Sequence, residues 1–222
     1  DRKKIVSLTA YSKSIAKILD KHIDIILVGD SMANVLYGHK NTHKINLENI
    51  IQHTLSVKQG VKKSLLVVDM PRGSYNNLKT AKKNAKRDIS LTKCDAIKLE
   101  SKKKNYEIIK HLVKKKIPVM GHIGYTPQFK KKFKVEGLNK LEANKLLKEA
   151  KSIEKAGAFS IVLECLSSSA AKLITSKLKI PTIGIGSSIN CDGQILVTDD
   201  MLGISGFYPK FVKKYVKLDR II

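Results

Sequence analysis

The sequence predicts an α/β fold, a single (β/α)8 (TIM) barrel over residues 1–222, from three observations. Short apolar runs rich in Ile and Val recur along the chain, and such runs read as parallel strands buried on both faces. Helical stretches separate them, as βαβ crossovers require. Most of the runs close on a polar residue able to do chemistry: Asp30-Ser31, Asp69, Glu100, His122, Glu164 and Gly186-Ser187. Successive parallel strands bring such ends to one face, and in a closed barrel that face holds the active site.

The elements follow in order. Strand 1 is expected at 5–10, and its apolar run is too short and too polar for a secretory signal. A helix at 12–21 carries Ile15, Ile18 and Leu19 on one face. Strand 2 spans 25–29 and a loop 38–46. The helix at 47–58 has Ile50, Ile51, Thr54 and Leu55 at helical spacing. Strand 3 is 65–68, followed by a Pro- and Gly-punctuated turn at 70–74 and a Lys-rich helix at 78–89. Strand 4 is 96–99, a helix 105–115, strand 5 118–121. A loop at 124–138 carries Pro127 and Gly137; loops this long in a compact domain are usually functional. A helix at 141–156 stops at Gly157. Strand 6 is 159–163, a Ser-capped helix 167–176, strand 7 182–185 and strand 8 194–197. The last expected element is an amphipathic helix at 207–216.

Composition narrows the function classes. The formal charge is +24, from 43 Lys and Arg against 19 Asp and Glu. The excess is nearly all Lys, spread over almost every helix, while phosphate and base readers lean on Arg forks. The only arginines are Arg2, Arg72, Arg87 and Arg220. A specific nucleic-acid partner is therefore not expected. No apolar stretch approaches the roughly 18–20 residues of a membrane span, so no membrane partner is expected either. Cys94, Cys165 and Cys191 are odd in number and lack metal spacing, which points to free thiols in a reducing cytoplasm.

Asp30 and Asp69 end neighbouring strands. Carboxylates a few ångströms apart repel unless a cation or proton lies between them. Hard oxygen ligands with no His or Cys nearby favour Mg2+ over zinc, with water and substrate oxygens completing the octahedron. Glu100 is placed to join directly or through water. The plainer reading has one aspartate capping the next helix and the other solvated. Lys98 shares a face with Glu100 and points into the same mouth, either to hold an anionic substrate or to pair with Asp69 or Glu100. His122 is a candidate for binding substrate or moving protons. Glu164 lies at an apolar rim, where a carboxyl's pKa rises toward neutrality and suits a base; the plainer reading makes it a helix cap. Gly184-Ile185-Gly186-Ser187-Ser188 has the look of a phosphate-cradling turn, a weak signal alone.

Taken together, several motifs resemble the ketopantoate hydroxymethyltransferase family. They are Val28-Gly29-Asp30-Ser31, Gly38-His39, Asp69-Met70-Pro71, Lys98-Leu99-Glu100, the stretch from Gly121 to Gln128, Val162-Leu163-Glu164-Cys165, Ile183-Gly184-Ile185-Gly186 and Cys191-Asp192-Gly193-Gln194-Ile195-Leu196-Val197. They run in order over almost the whole chain. The resemblance implies a barrel of the phosphoenolpyruvate/pyruvate superfamily. It implies Mg2+ at Asp30 and Asp69 with Glu100 nearby, and a 2-oxoacid at Asp30, Ser31, Asp69 and Lys98. It implies Glu164 as proton acceptor, 5,10-methylenetetrahydrofolate as one-carbon donor, and a homo-oligomer, often a decamer. The reaction implied makes 2-dehydropantoate from 3-methyl-2-oxobutanoate through an enolate. The Lys-rich segment 128–137 and Ser187-Ser188 depart from the family's pattern. Two other readings stay open: a different Mg-dependent 2-oxoacid aldolase or lyase of that superfamily, and a non-enzymatic basic protein that binds polyanions.

Overall fold

The computed structural model describes residues 3–101, 105–130, 132–206 and 208–222. Eight parallel strands close into a barrel in sequence order, β1 (Ile5–Thr9), β2 (Ile25–Val28), β3 (Leu65–Asp69), β4 (Ala96–Glu100), β5 (Val119–Gly124), β6 (Ser160–Glu164), β7 (Thr182–Ile185) and β8 (Gly193–Leu196). β1 pairs with β8 from Ile5↔Gly193 to Leu8↔Leu196, which leaves the sheet without an edge.

The helices are α1 (Lys13–Leu19), α2 (Met32–Val35), α3 (Leu47–Lys58), α4 (Leu78–Thr92), α5 (Tyr106–Lys114), α6 (Lys140–Lys155), α7 (Ser168–Lys177) and α8 (Thr198–Leu202). Asparagines start three of them. The side chains of Asn46, Asn77 and Asn139 accept backbone N–H groups at the openings of α3, α4 and α6. Ser167 caps α7 in the same way, accepting from the Ala170 N–H.

Strand alternation sorts the side chains into two layers. Ile25, Leu27, Val67, Ala96, Met120, Val162, Ile183 and Ile195 pack together inside the barrel. Their outward neighbours, such as Ile26, Val68, Leu99, Ile123 and Leu163, lie under the helices. Continued by two residues toward the strand ends, the inward row arrives at Asp69, Lys98, His122 and Glu164, and by two more on β4 at Glu100.

The C-terminal helix expected at 207–216 does not form. Phe207 lies outside the described residues; from Tyr208 to Val216 the chain runs in turns and irregular backbone. Its apolar side chains are used by tertiary contacts instead. Phe211 sits against Gly186 and stacks on Phe133, with ring centroids 6.2 Å apart. The Tyr215 N–H donates to the Met201 carbonyl at 2.9 Å. Pro209 also withholds a donor from any helix there. The short α2 and α8, and a 3-10 turn at Thr42–Lys44, fall below the length at which periodicity can mark a helix.

Candidate active site

The mouth at the strand ends is built from β2 to β6. The register sets Asp69 beside Lys98 and Glu100 beside His122, with Glu164 beside Gly124. Asp30 and Ser31 follow β2 in the turn into α2. Asp30, Asp69, Lys98, Glu100 and His122 are buried, and Glu164 is partly open. All the residues singled out from the sequence therefore meet at one place.

The interactions among them are specific. The Lys98 Nζ donates to Asp69 Oδ1 at 2.5 Å. Asp69 Oδ2 accepts the Asp30 N–H at 3.3 Å. Asp30 is not a helix cap, because its Oδ2 accepts from Gln128 Nε2 at 2.9 Å. Glu100 Oε2 accepts the Gln128 N–H at 3.0 Å, while its Oε1 is buried without a hydrogen-bond partner. Ser31 Oγ shares a hydrogen bond with the Tyr11 hydroxyl at 2.8 Å. His122 Nε2 lies 3.1 Å from Glu164 Oε2, and its Nδ1 lies 3.8 Å from Glu100 Oε1. Neither ring nitrogen makes a hydrogen bond.

Burial and neighbouring charge set the protonation states. Burial, reinforced by Asp69, pushes Asp30 up to about 7 despite Lys98 and Gln128. Glu100 is driven well above the carboxylate range by burial and by Asp30. Burial would lower Lys98, but Asp69, Asp30 and Glu100 outweigh it, and the ammonium is held charged. Among the described residues Lys98 is the only buried lysine, which separates it from the solvated majority. His122 is pushed well below its ordinary range by burial and by Lys98, so its imidazole is neutral. Burial lifts Glu164 to about 8, with Lys98 opposing and Asp69 adding to the rise. With a neutral imidazole, the His122 contacts to Glu164 and Glu100 are not ion pairs.

The turn after Glu164 is sharp. Cys165 has φ 53°, a left-handed conformation that costs a non-glycine residue about 1–2 kcal/mol. It is held there by its N–H on the Ile185 carbonyl and by the Glu136 N–H on its own carbonyl. Gly124 has φ 92°, and a Cβ there would stand 2.1 Å from the Glu164 carbonyl. Both features seat the 124–138 loop against the end of β6, and the loop is further pinned by the Lys130–Glu136 ion pair.

Gly184 and Gly186 do not form a phosphate cradle. The space a Cβ would occupy at Gly186 holds the Phe211 ring, at 2.4 Å, and at Gly184 it holds Cys191 Sγ, at 3.0 Å. These glycines serve close packing. All three cysteines are free and buried, and Cys165 is pushed up to about 12 by burial, so it is no nucleophile. A surface groove of about 470 Å³, lined by Leu78, Lys79, Lys82, Lys83, Lys86 and His111, lies on α4 and α5 and lacks any acid or nucleophile.

Sequence reasoning missed Gln128 and Tyr75. Gln128 is fully buried and reaches both Asp30 and Glu100, and the Tyr75 hydroxyl donates to its Oε1 at 2.6 Å. The usable signal was a lone amide directly after Pro127 in an otherwise Lys-rich loop.

Could the mouth hold a cation? The donor set is hard oxygen, it carries more carboxyls than cations, and Glu100 Oε1 is an orphaned acceptor. That chemistry fits Mg2+. Among the described residues no three His, Cys, Asp or Glu side chains already surround one point, so the residues fit a water-rich ion rather than a protein cage.

Fold and site together define a (β/α)8-barrel enzyme with a carboxylate-rich mouth and one candidate base. The same fold occurs in phosphonopyruvate hydrolase, crystallised with oxalate and Mg2+, at TM-score 0.69 and 11% identity over 88% of this chain and 76% of that one. It occurs also in 2,3-dimethylmalate lyase, a PEP mutase/isocitrate lyase superfamily member, at TM-score 0.68 and 12% identity over 88% and 73%. The ketopantoate hydroxymethyltransferase model matches residues 1–222, and the chain belongs to that family of hydroxymethyltransferases. It is 54% identical to the 3-methyl-2-oxobutanoate hydroxymethyltransferase of Pelagibacter ubique, over 100% of this chain and 86% of that protein. It is 49% identical to the enzyme of the same name from Clostridioides difficile, over 99% and 82%.

Proposed function

We propose that this chain transfers a hydroxymethyl group from 5,10-methylenetetrahydrofolate to 3-methyl-2-oxobutanoate, giving 2-dehydropantoate, the first step of pantothenate biosynthesis. The observation that carries the reading is the gathering of Asp30, Asp69 and Glu100 around the buried Lys98, with Glu164 raised to about 8 at the rim. Asp30 and Asp69 would hold Mg2+, with Glu100 joining through water. When bound, Mg2+ supplies positive charge to the carboxylates and polarises the 2-oxoacid's keto oxygen.

The chain's own groups do the rest. Ser31 Oγ and the Lys98 ammonium bind the substrate's oxygens and balance its charge. Glu164 takes the C3 proton, and a pKa near neutrality suits both that step and the proton's later return. The electron pair left on C3 forms the bond to the folate's one-carbon unit and water supplies the hydroxyl oxygen; both C–N bonds of that carbon break, and the two folate nitrogens take the proton held by Glu164 and one from water, so that tetrahydrofolate leaves. Neutral His122, beside Glu164, keeps the base from being locked in an ion pair.

Cytoplasmic residence is consistent with three free thiols, and no helix among the described residues is long and apolar enough to cross a membrane. Self-association into a homo-oligomer is supported by exposed apolar side chains on the 124–138 loop and the start of α6: Phe133, Val135, Leu138 and Leu141.

The test is product formation followed by NMR, with the 2-oxoacid, methylenetetrahydrofolate and Mg2+ each omitted in turn. New 2-dehydropantoate only with all three is the expected result. Cleavage of a 2-oxoacid's carbon–carbon bond without folate would replace this reading with the lyase one.

A further inference from the structure

Gln128 is the most constrained side chain in the mouth. Its side-chain Nε2 donates to Asp30 Oδ2 at 2.9 Å and to the Met70 carbonyl at 3.0 Å. Its Oε1 accepts from the Tyr75 hydroxyl at 2.6 Å, and its backbone N–H donates to Glu100 Oε2 at 3.0 Å. A primary amide has two N–H donors and one carbonyl, and here all are used. The orientation follows from chemistry: a carboxylate and a peptide carbonyl only accept, so the amide nitrogen must face them. Tyr75, itself buried, supplies the proton on the other side.

The consequence falls on two of the acidic groups. With Oδ2 of Asp30 engaged by Gln128, Oδ1 is the oxygen left for another partner. With Oε2 of Glu100 engaged, the partnerless Oε1 is left in the same way. Gln128 does this with a neutral group. A lysine here would neutralise the site, and a carboxylate would add a repulsion the neighbouring acids already supply. The side-chain amide ties the ends of β2 and β3 together across the mouth, since Met70 follows β3, and the backbone N–H of the same residue adds β4 through Glu100.

We infer that Gln128, oriented by Tyr75, is a positioning residue that presents one oxygen of Asp30 and one of Glu100 to a divalent cation. The inference rests on the metal reading proposed above. Outer partners that orient metal-binding side chains typically affect affinity by about 10–100-fold.

The test measures Mn2+ binding by electron paramagnetic resonance, with thermal melting alongside. Gln128→Met fills the same volume without the side-chain hydrogen bonds to Asp30, Met70 and Tyr75, keeps the backbone N–H on Glu100, and should weaken Mn2+ about 10–100-fold through Asp30. Tyr75→Phe removes one hydroxyl and should weaken it about threefold to tenfold, the worth of one hydrogen bond. The double variant should bind no more weakly than Gln128→Met alone, because Tyr75 acts through Gln128. A purely structural role would move the melting temperature and leave the Mn2+ affinity of the folded protein alone. Wild-type affinity in folded Gln128→Met, or losses that multiply in the double variant, would overturn the inference. Should Gln128→Met fail to fold, Tyr75→Phe decides, and unchanged affinity there counts against it. Asp69→Asn separates the two ideas. If it and the wild type bind Mn2+ alike, the metal reading itself fails. If Asp69→Asn loses Mn2+ and Gln128→Met keeps it, only the role of Gln128 fails.

Discussion

The two sides of the barrel mouth are built on opposite plans. On the β2–β4 side, Asp30, Asp69, Lys98 and Glu100 are buried and held by Gln128 and by one another. On the β6–β7 side a single carboxyl, Glu164, is partly open, beside an aromatic run of Tyr125, Phe133 and Phe211. The first side is organised to hold its side chains in place. The second leaves one group free to change its charge. Catalysis by proton abstraction needs both: fixed electrostatics where charge develops, and a base whose proton comes and goes.

The sharpest way to break this division is Asp69→Asn. It removes a negative charge from the holding side, and turnover should fall by roughly 10²–10³-fold or more, as several kcal/mol of transition-state stabilisation are lost. Asparagine is the better probe than alanine, because Asp69 pairs with a buried ammonium. Either change leaves the buried Lys98 ammonium without its counter-charge, but the asparagine Oδ1 still accepts its hydrogen bond, whereas alanine removes that as well and costs more stability. Turnover at the wild-type rate and metal dependence in Asp69→Asn would remove it from the metal site.

Glu164→Gln tests the other side. The variant should still bind the 2-oxoacid and Mn2+ but lose exchange of the substrate's C3 proton with D₂O, by about 10²–10⁴-fold, read by NMR without folate. Exchange equal to wild type would assign the base to another group, with His122 next in line.

A smaller effect sharpens what burial alone does. Asp88, in α4, is buried with neither carboxyl oxygen hydrogen-bonded, and burial lifts it to about 7 from an ordinary 3.8. Its folded pKa is the higher one, so the folded protein binds the proton more tightly. The stability this contributes is complete below about pH 4 and is lost as pH rises through 7. Asp88→Asn should therefore stabilise the protein at pH 8 by about 1–3 kcal/mol and much less at pH 4, measured by denaturant melts. Equal effects at both pH values would show that Asp88 is not protonated on folding. Asp88 also shows that a raised carboxyl is not by itself a mark of catalysis; Glu164 is distinguished by where it stands.

The barrel and its charged mouth were readable because parallel strands encode both at once. Most runs are apolar up to a closing polar residue, so Asp69, Glu100, His122 and Glu164 announce themselves. The face that Lys98 takes follows from counting two residues back from Glu100. Gln128 was legible as the end of the stretch from Gly121 but its role was not, because that depends on a loop folding back across three strand ends, and no periodicity reports that. The segment after Gly206 misled for a related reason. Its apolar spacing suits a helix, yet Phe211 is used on Gly186 and Phe133. Close packing of this kind also explains the glycines that look like a ligand cradle in sequence: Phe211 lies against Gly186, and Cys191 Sγ against Gly184.

The closure of β1 onto β8 bears on how the chain reaches this state. Hydrogen bonds between Thr9 and Thr198 join residues 189 positions apart. Contacts that distant are slow to form, since loop entropy is lost before they repay it. Until the ring shuts, β1 and the last paired strand each present an open edge that another chain can extend. The acidic mouth, by contrast, is drawn from strands that are consecutive in sequence. The charge-holding site can thus assemble early, and the final seam decides how long the nascent barrel stays exposed to its neighbours.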